Sequence, residues 1–258
     1  MAIDVSSNNN YWVTSASIPS EPASRTHLAW VNPDTVSGVQ SVISRDANGD
    51  GSRSYQFRTS GSEIQYIHFV SGSAKVLSST SAGLGISQWD CIVATCTDGA
   101  QEVWTGGTSR GVATESGAPD SDDSAMGIGL RIGAEATPTQ FEPFNGQIAI
   151  CATWDRVLDD AEIILLSQGF SPLFIQTGLF WHFDFTGREG DTTIPDSTGS
   201  VVVTERGAVG VAAGPPIIYP TRPHIVAVPG AAPPAGDNLA WALAGARPAL
   251  AGRKGLAG

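Results

Sequence analysis

Short apolar or alternating runs, separated by clusters of Gly, Ser, Asn and Asp, follow one another along the first 155 residues. Segments 54–58 and 63–69 alternate between polar and apolar side chains, which places one face of a strand on a core and the other in water. Further strands are predicted at 27–31, 39–43, 89–95, 102–104, 126–132 and 146–154. Many short strands with turn signals between them indicate an all-β fold, an antiparallel two-sheet jelly-roll sandwich.

One short helix is predicted within 158–169. Asp159 and Glu162 have the spacing of a capping box, and Leu158 with Ile163 has the spacing of a hydrophobic staple. Gly169 supplies the left-handed residue that ends a helix. Because so short a helix is not stable alone in water, we expect it to pack on the sandwich.

Two further apolar runs, 178–185 and 201–204, follow the helix and predict additional strands. The block that holds them has only about 35 residues, which is too few for a core of its own. We therefore expect 178–213 to return to the sandwich, so that residues 1–213 form one domain.

The composition changes at residue 214, where an extended C-terminal arm (214–258) is predicted. The arm contains eleven Ala, eight Pro and seven Gly, and four basic residues against one acidic residue give it a charge of +3. Since the whole chain carries −11, residues 1–213 carry −14. Flexible linkers are polar, whereas this arm is rich in apolar residues, so we predict that it contacts an assembly partner. Its predicted contact residues are Ile217, Ile218, Tyr219, Ile225, Val226 and Trp241.

Charge and composition exclude several classes of protein. The acidic balance argues against nucleic acid and anionic membranes as partners. No apolar run approaches the ~20 residues that a membrane helix needs, and the N-terminus lacks the basic and apolar segments of a signal peptide. The expected site of synthesis is therefore the cytoplasm. The cysteines are odd in number and have no metal-site spacing, so Cys91, Cys96 and Cys151 are predicted to be buried thiols.

Four segments resemble the LamG-like group of concanavalin A-like jelly rolls. They are His-Leu-Ala-Trp-Val-Asn-Pro at 27–33, Gln-Trp-Asp-Cys-Ile-Val-Ala-Thr at 88–95, Leu-Arg-Ile-Gly at 130–133, and the stretch from 144 to 163. The last stretch resembles the closing strand of the family, its turn, and the Ala-Glu-Ile start of its helix. The resemblance implies the fold, whereas a broad family implies little about function.

Two departures from the family pattern carry further expectations. Segments 179–184 and 196–199 look like the opening strand and turn of the family, yet they come after the helix. This implies a rearranged strand order or a strand pair that returns to the sheet. Segment 214–220, Gly-Pro-Pro-Ile-Ile-Tyr-Pro, is similar to segments found after LamG-like modules in tailed-phage virion proteins.

The first functional hypothesis is therefore a non-enzymatic phage structural protein, a capsid decoration or fibre component made in the host cytoplasm. Its arm would attach it to other virion proteins or to copies of itself in a homo-oligomer. The alternative is a carbohydrate-binding module for host-surface glycans, with Trp12, Trp104 and Trp181 stacking on sugar rings. Trp30, Trp89 and Trp154 fall in the core strands of the family. A glycoside hydrolase is disfavoured, because the sequence lacks the Glu-x-Asp-x-x-Glu strand of the hydrolases with this fold.

A calcium loop is the one candidate metal site. Asp46, Asn48 and Asp50 have the spacing of the first half of an EF-hand loop, but the twelfth position is Phe57 and no helices flank the segment. A polar turn between strands is the alternative, and no other cofactor is expected. The four histidines, His27, His68, His182 and His224, show no ligand spacing and are predicted to pack on strand faces.

Overall fold

A computed structural model describes the chain at residues 2–5, 11–14, 22–46, 53–71, 73–79, 83–97, 100–114, 126–129, 131–132, 140–188, 191–199, 201–206 and 209–220. The chain divides into two units, Met1–Pro220 and Thr221–Gly258. The second unit lies outside the described residues, and so do the predicted contacts Ile225, Val226 and Trp241.

Strands dominate the first unit. In chain order they are β1 (Ala2–Asp4), β2 (Tyr11–Thr14), β3 (Arg25–Pro33), β4 (Val39–Asp46), β5 (Arg53–Ser60), β6 (Glu63–Val70), β7 (Ser73–Ser78), β8 (Asp90–Cys96), β9 (Gln101–Thr105), β10 (Thr108–Ala113), β11 (Gly127–Ile128), β12 (Arg131–Ile132), β13 (Gln140–Phe141), β14 (Gly146–Trp154), β15 (Leu179–Asp184), β16 (Thr193–Pro195), β17 (Val202–Arg206) and β18 (Gly210–Ala212). A helix, α1 (Asp160–Ser167), and a 3-10 turn at Pro172–Phe174 come after β14.

Within the described ranges the strands form two eight-stranded antiparallel sheets and one small hairpin. The first sheet has the order β10-β9-β8-β3-β14-β1-β18, and β15 pairs with the second half of β14. The second sheet has the order β16-β17-β2-β11-β4-β5-β6-β7, and β12 pairs with β13. The predicted all-β, two-sheet jelly-roll sandwich is confirmed.

The alternation of each strand creates two apolar layers. Inward-facing side chains such as Phe57, Tyr66 and Ile92 fill the space between the sheets, and all three are fully buried. The opposite face of the first sheet holds a second cluster, in which Trp154 and Leu28 meet Ile163 of the helix. The helix therefore covers the outer face of the first sheet and leaves the outer face of the second sheet to other contacts.

The predicted helix and its capping box are confirmed. Asp159 Oδ1 accepts the Glu162 N–H at 2.9 Å, and Glu162 Oε2 accepts the Asp159 N–H at 3.0 Å. Arg156 clamps the same Glu162 carboxylate with two hydrogen bonds of 2.7 and 2.6 Å. This guanidinium lowers the pKa of Glu162, which keeps the cap ionised. Gly169 has a φ of +93°, as the helix end requires.

Asp159→Ala is expected to lower the free energy of unfolding by roughly 1 kcal/mol, because it removes the side-chain acceptor of the cap. Asp160→Ala is the matched control, since it removes a carboxylate from the same turn and should cost only a few tenths of that amount. Urea denaturation of both variants measures the difference, and equal losses would show that charge, not the cap, is responsible.

The block after the helix contributes strands to both sheets. β15 and β18 join the first sheet, whereas β16 and β17 extend the second sheet beyond β2. β15, which looks like the opening strand of the family, pairs with β14, and β17, which follows the turn at 196–199, pairs with β2. This arrangement explains how they can come after the helix in sequence and still complete the same two sheets.

The compact unit extends past the composition break at residue 214. Ile218 donates its N–H to the Gly169 carbonyl at 2.8 Å and accepts the Ser171 N–H at 2.9 Å. The Tyr219 hydroxyl donates to Asp184 Oδ2 at 2.8 Å. Because these bonds hold the segment on the domain, the first unit ends at Pro220 and not at residue 213.

The three cysteines are buried free thiols, as predicted. Burial raises the pKa of Cys91 to about 12 and raises the pKa of Cys151 further. These thiols therefore remain protonated and serve as small apolar groups. Among the described residues, no helix combines the length and apolar character that a membrane crossing requires.

Candidate functional site

The three tryptophans expected to stack on sugar rings are buried. The exposed fractions of Trp12, Trp104 and Trp181 are 1%, 6% and 0%. All three lie on strand faces that point into apolar layers, so none exposes a ring face on which a sugar could stack, and the sugar-stacking prediction is wrong. Trp30 and Trp154 are buried in the second apolar cluster and Trp89 packs against it, which confirms their predicted structural role.

A buried group of polar and aromatic side chains occupies the space between the sheets. Arg25 donates to the Tyr66 hydroxyl at 3.0 Å, and its guanidinium lies 5.1 Å from the centre of the Tyr55 ring. The His27 ring stacks on the same tyrosine at 4.1 Å. Because all four side chains have no exposed surface, this group stabilises the interior and does not present a binding surface.

A row of polar side chains crosses the outer face of the second sheet. Arg58 of β5 lies opposite Gln65 of β6, which in turn lies opposite Ser78 of β7. Ser41 of β4 lies opposite Arg58 on its other side. Since Phe57 and Tyr66 point into the core, alternation places their neighbours in this row on the outer face. Gln56 and Glu142 also contact Arg58. We name the resulting group of six side chains the Arg58 row: Ser41, Gln56, Arg58, Gln65, Ser78 and Glu142.

Arg58 is held by its neighbours in one orientation. Its Nε donates to Gln65 Oε1 at 2.9 Å, and its Nη1 donates to Gln56 Oε1 at 3.1 Å and to Glu142 Oε1 at 3.3 Å. Gln65 continues the chain by donating to Ser78 Oγ at 2.8 Å. Within the described part of the chain, Nη2 makes no hydrogen bond, so one edge of the fixed guanidinium keeps free donors.

Accessibility distinguishes this row from the buried group. The side chains of Arg58 and Glu142 are 18% and 22% exposed, so a ligand can reach them while their surroundings restrict water. The Ser41 hydroxyl is buried, and it has no hydrogen-bond partner among the described residues. The free edge of the Arg58 guanidinium therefore lies beside an ion pair whose geometry is already fixed.

Glu142 reaches the row through an unusual backbone conformation. Its φ is +55°, in the left-handed region, which costs a non-glycine residue about 1 kcal/mol. Its carbonyl accepts the Ser41 N–H at 2.7 Å, which fixes the residue beside β4. Strained conformations of this kind are concentrated at functional sites, which favours a role for this carboxylate.

The candidate calcium residues lie at the end of β4. Asp46 is the last residue of that strand, while Asn48 and Asp50 lie outside the described residues. The calcium loop therefore stays a prediction. His27, His68 and His182 are buried on strand faces, as predicted, and His224 lies outside the described residues. No group of three or more metal-binding side chains occurs in the described ranges.

Sequence reasoning missed the Arg58 row, because polar residues on the outer face of a strand are ordinary when each strand is taken alone. A signal was present in the turn 60–62, Ser-Gly-Ser, between two alternating strands. Pairing the strands as a hairpin across this turn aligns Arg58 with Gln65. Glu142 gives no such signal, because it comes from a distant loop.

These features define a two-sheet antiparallel sandwich with a row of polar side chains on the outer face of its second sheet. The chain belongs to the concanavalin A-like lectin/glucanase superfamily, whose family model matches residues 6–164. The resemblance noted in the sequence is thus confirmed. No curated protein is similar enough in sequence to count as a relative.

Solved structures share the fold at low sequence identity. A protein of Bacteroides ovatus described as carbohydrate-binding superposes with a TM-score of 0.61 and 17% identity, over 84% of this chain and 62% of that one. The heptameric SAP-like pentraxin of Limulus polyphemus gives a TM-score of 0.52 and 14% identity, over 79% of this chain and 93% of its own. The chain therefore spans less than two thirds of the Bacteroides protein, and the likeness concerns the fold.

Proposed function

We propose that this protein is a non-enzymatic carbohydrate-binding module and that the Arg58 row is its ligand-binding face. The observation that carries this proposal is the fixed guanidinium of Arg58, with a free Nη2 beside the carboxylate of Glu142. A sugar hydroxyl both donates and accepts, so a donor and an acceptor side by side can bind neighbouring hydroxyls of one ring. Because the side chains are already ordered, binding costs them little entropy.

An aliphatic surface next to the row supports the same ligand class. Val76 is 49% exposed, and it lies on the outer face of β7 two residues from Ser78. Sugars combine hydroxyl edges with an apolar C–H face, and a pocket that binds them needs both kinds of surface. The Bacteroides ovatus protein of the same fold, described as carbohydrate-binding, makes this the first ligand class to test.

The composition of the row favours binding over hydrolysis. Glycoside hydrolases use two carboxylates on either side of the scissile bond. The Arg58 row has one carboxylate, Glu142, and that group is engaged by a guanidinium. The row can therefore orient a sugar but lacks the acid–base pair that would cleave it.

A glycan array tests this function with the full-length chain, and calorimetry on each positive glycan measures its affinity. We expect binding to a restricted set of glycans and no release of reducing sugar. Binding to none of the arrayed glycans, or cleavage of a bound one, would contradict the proposal.

A role in a phage virion is the second proposal, as a capsid decoration or fibre component made in the host cytoplasm. It is supported by the last described segment, where Ile218 and Tyr219 are fixed by hydrogen bonds while 47% and 38% of their surfaces remain exposed. With Ile217, these residues and the apolar Ile225, Val226 and Trp241 would contact other virion proteins or copies of this chain. In such a particle, glycan binding would serve recognition of the host surface.

Truncation after Pro220 tests the attachment role, because it keeps every hydrogen bond that ties 215–220 to the domain. We expect the truncated protein to keep the melting temperature of the full chain and to be missing from purified particles by mass spectrometry. Normal incorporation of the truncated protein would contradict attachment through residues 221–258.

A further inference from the structure

A cavity of about 260 Å³ opens between the two sheets, far along the second sheet from the Arg58 row. It lies where β1 and β18 of the first sheet face β2 and β17 of the second. Among the described residues its lining is Ile3, Trp12, Arg188, Asp191, Thr192, Glu205, Val209, Gly210 and Val211. The apolar members form its walls, and the charged members come from β17 and from the segment before β16.

Glu205 places a carboxylate on the inner face of the second sheet. It lies opposite Trp12 in the strand register, and Val203, two residues earlier, is fully buried between the sheets. Alternation therefore points Glu205 inward, where an apolar side chain is the usual choice. Its Oε1 accepts the Val209 N–H at 2.6 Å, whereas Oε2 has no hydrogen-bond partner among the described residues.

The other charges of the cavity cancel one another. Arg188 and Asp191 form an ion pair at 3.5 Å, with side chains that are 41% and 47% exposed. This pair leaves Glu205 as the unbalanced charge, so the cavity is anionic overall. The sequence outside the C-terminal unit carries −14, a field that attracts cations toward such a site.

We propose that this cavity binds the basic side chain of a partner protein, an ammonium or guanidinium on an aliphatic stem. The stem would lie against Ile3, Trp12 and Val211, and the cation would donate to Glu205 Oε2. Charge-assisted hydrogen bonds in a partly enclosed site are stronger than those between neutral groups.

The test uses the full-length chain, nitrogen–proton correlation NMR, and two probes that differ only in charge. Nα-acetyl-lysine methylamide carries the ammonium, whereas Nα-acetyl-norleucine methylamide has the same apolar chain without it. We expect only the lysine probe to shift the Trp12 indole signal and the amide signals of Glu205 and Val211. High salt should weaken its binding, since the attraction is ionic.

Glu205→Gln is the decisive variant, because the amide oxygen can still accept the Val209 N–H while the charge is lost. It should weaken the lysine probe about tenfold or more, while Glu63→Gln, an exposed carboxylate on β6, should leave it unchanged. Equal shifts with both probes, no shift with either, or an unaltered affinity in Glu205→Gln would overturn the proposal. Shifts at these residues with a neutral methyl glycoside instead of the lysine probe would also overturn it. None of these outcomes bears on glycan binding at the Arg58 row.

Discussion

Gly146→Ala is expected to lower the free energy of unfolding by about 3 kcal/mol or more. Gly146 begins β14 and lies opposite Pro33 of β3, and its carbonyl accepts the Val5 N–H at 2.9 Å. A methyl group there would overlap the Asn32 carbonyl oxygen and lie 2.7 Å from the Pro33 Cα. Both contacts are with backbone inside the central strand pair, which cannot move without breaking the ladder.

Gly106→Ala provides the control for this prediction. Gly106 has a φ of +54°, but no atom lies within 4 Å of the position that its Cβ would take. Alanine there should cost only about 1 kcal/mol for the left-handed conformation. Urea denaturation of both variants separates steric overlap from backbone preference. A loss in Gly146→Ala no larger than that in Gly106→Ala would show that the strand pair can adapt.

The stability of the domain is expected to fall as the pH drops from neutrality toward 4. Burial lowers the pKa of His182 to about 4, from an ordinary value near 6.5. Below the ordinary pKa of histidine, the unfolded chain binds a proton at His182 that the folded chain does not bind. Lowering the pH therefore stabilises the unfolded state relative to the folded state. The free energy of unfolding is lower by about 3 kcal/mol when the pH reaches the pKa of His182 in the folded chain. Burial and the nearby Arg25 cation also lower the pKa of His27, which adds a loss of the same sign.

His182→Gln isolates the contribution of this residue. The His182 ring lies 3.0 Å from the Ser197 hydroxyl through Nδ1, and glutamine can make a similar hydrogen bond without titrating. Urea titrations at a series of pH values should give a shallower decline for the variant than for the natural chain. Identical pH dependence in the two proteins would mean that His182 does not titrate differently in the folded and unfolded states.

The predictable part of the fold was the part with a strong local pattern. β5 and β6 alternate cleanly, β14 is buried along its whole length, and the capping box is a local motif, so each could be identified from a few residues. β1, β2 and β18 have only three or four residues each, and their pairing partners are distant in sequence. Such short strands form because distant segments of the sheet supply their hydrogen-bond partners. A local sequence pattern cannot show these partners.

The candidate site was harder to predict than the fold for the same reason. A tryptophan such as Trp12 looks like a ligand-stacking residue until the register shows which face of the strand it occupies. The proposed binding role of Arg58 depends on its neighbours Gln65, Ser41 and Glu142, which come from three other segments. Single-strand patterns describe burial well, but a binding face is formed by neighbours across strands.

The most direct test of the central proposal is the affinity of Arg58→Met for a glycan that the natural chain binds, measured by calorimetry. Methionine keeps much of the aliphatic stem and removes the guanidinium, so binding through the Arg58 row predicts a loss of about tenfold or more. Arg206→Met, which removes an exposed arginine from β17, should leave the affinity unchanged, and both variants should keep their melting temperature. An Arg58→Met protein that is folded and binds the glycan with undiminished affinity would contradict the assignment of this face as the binding site.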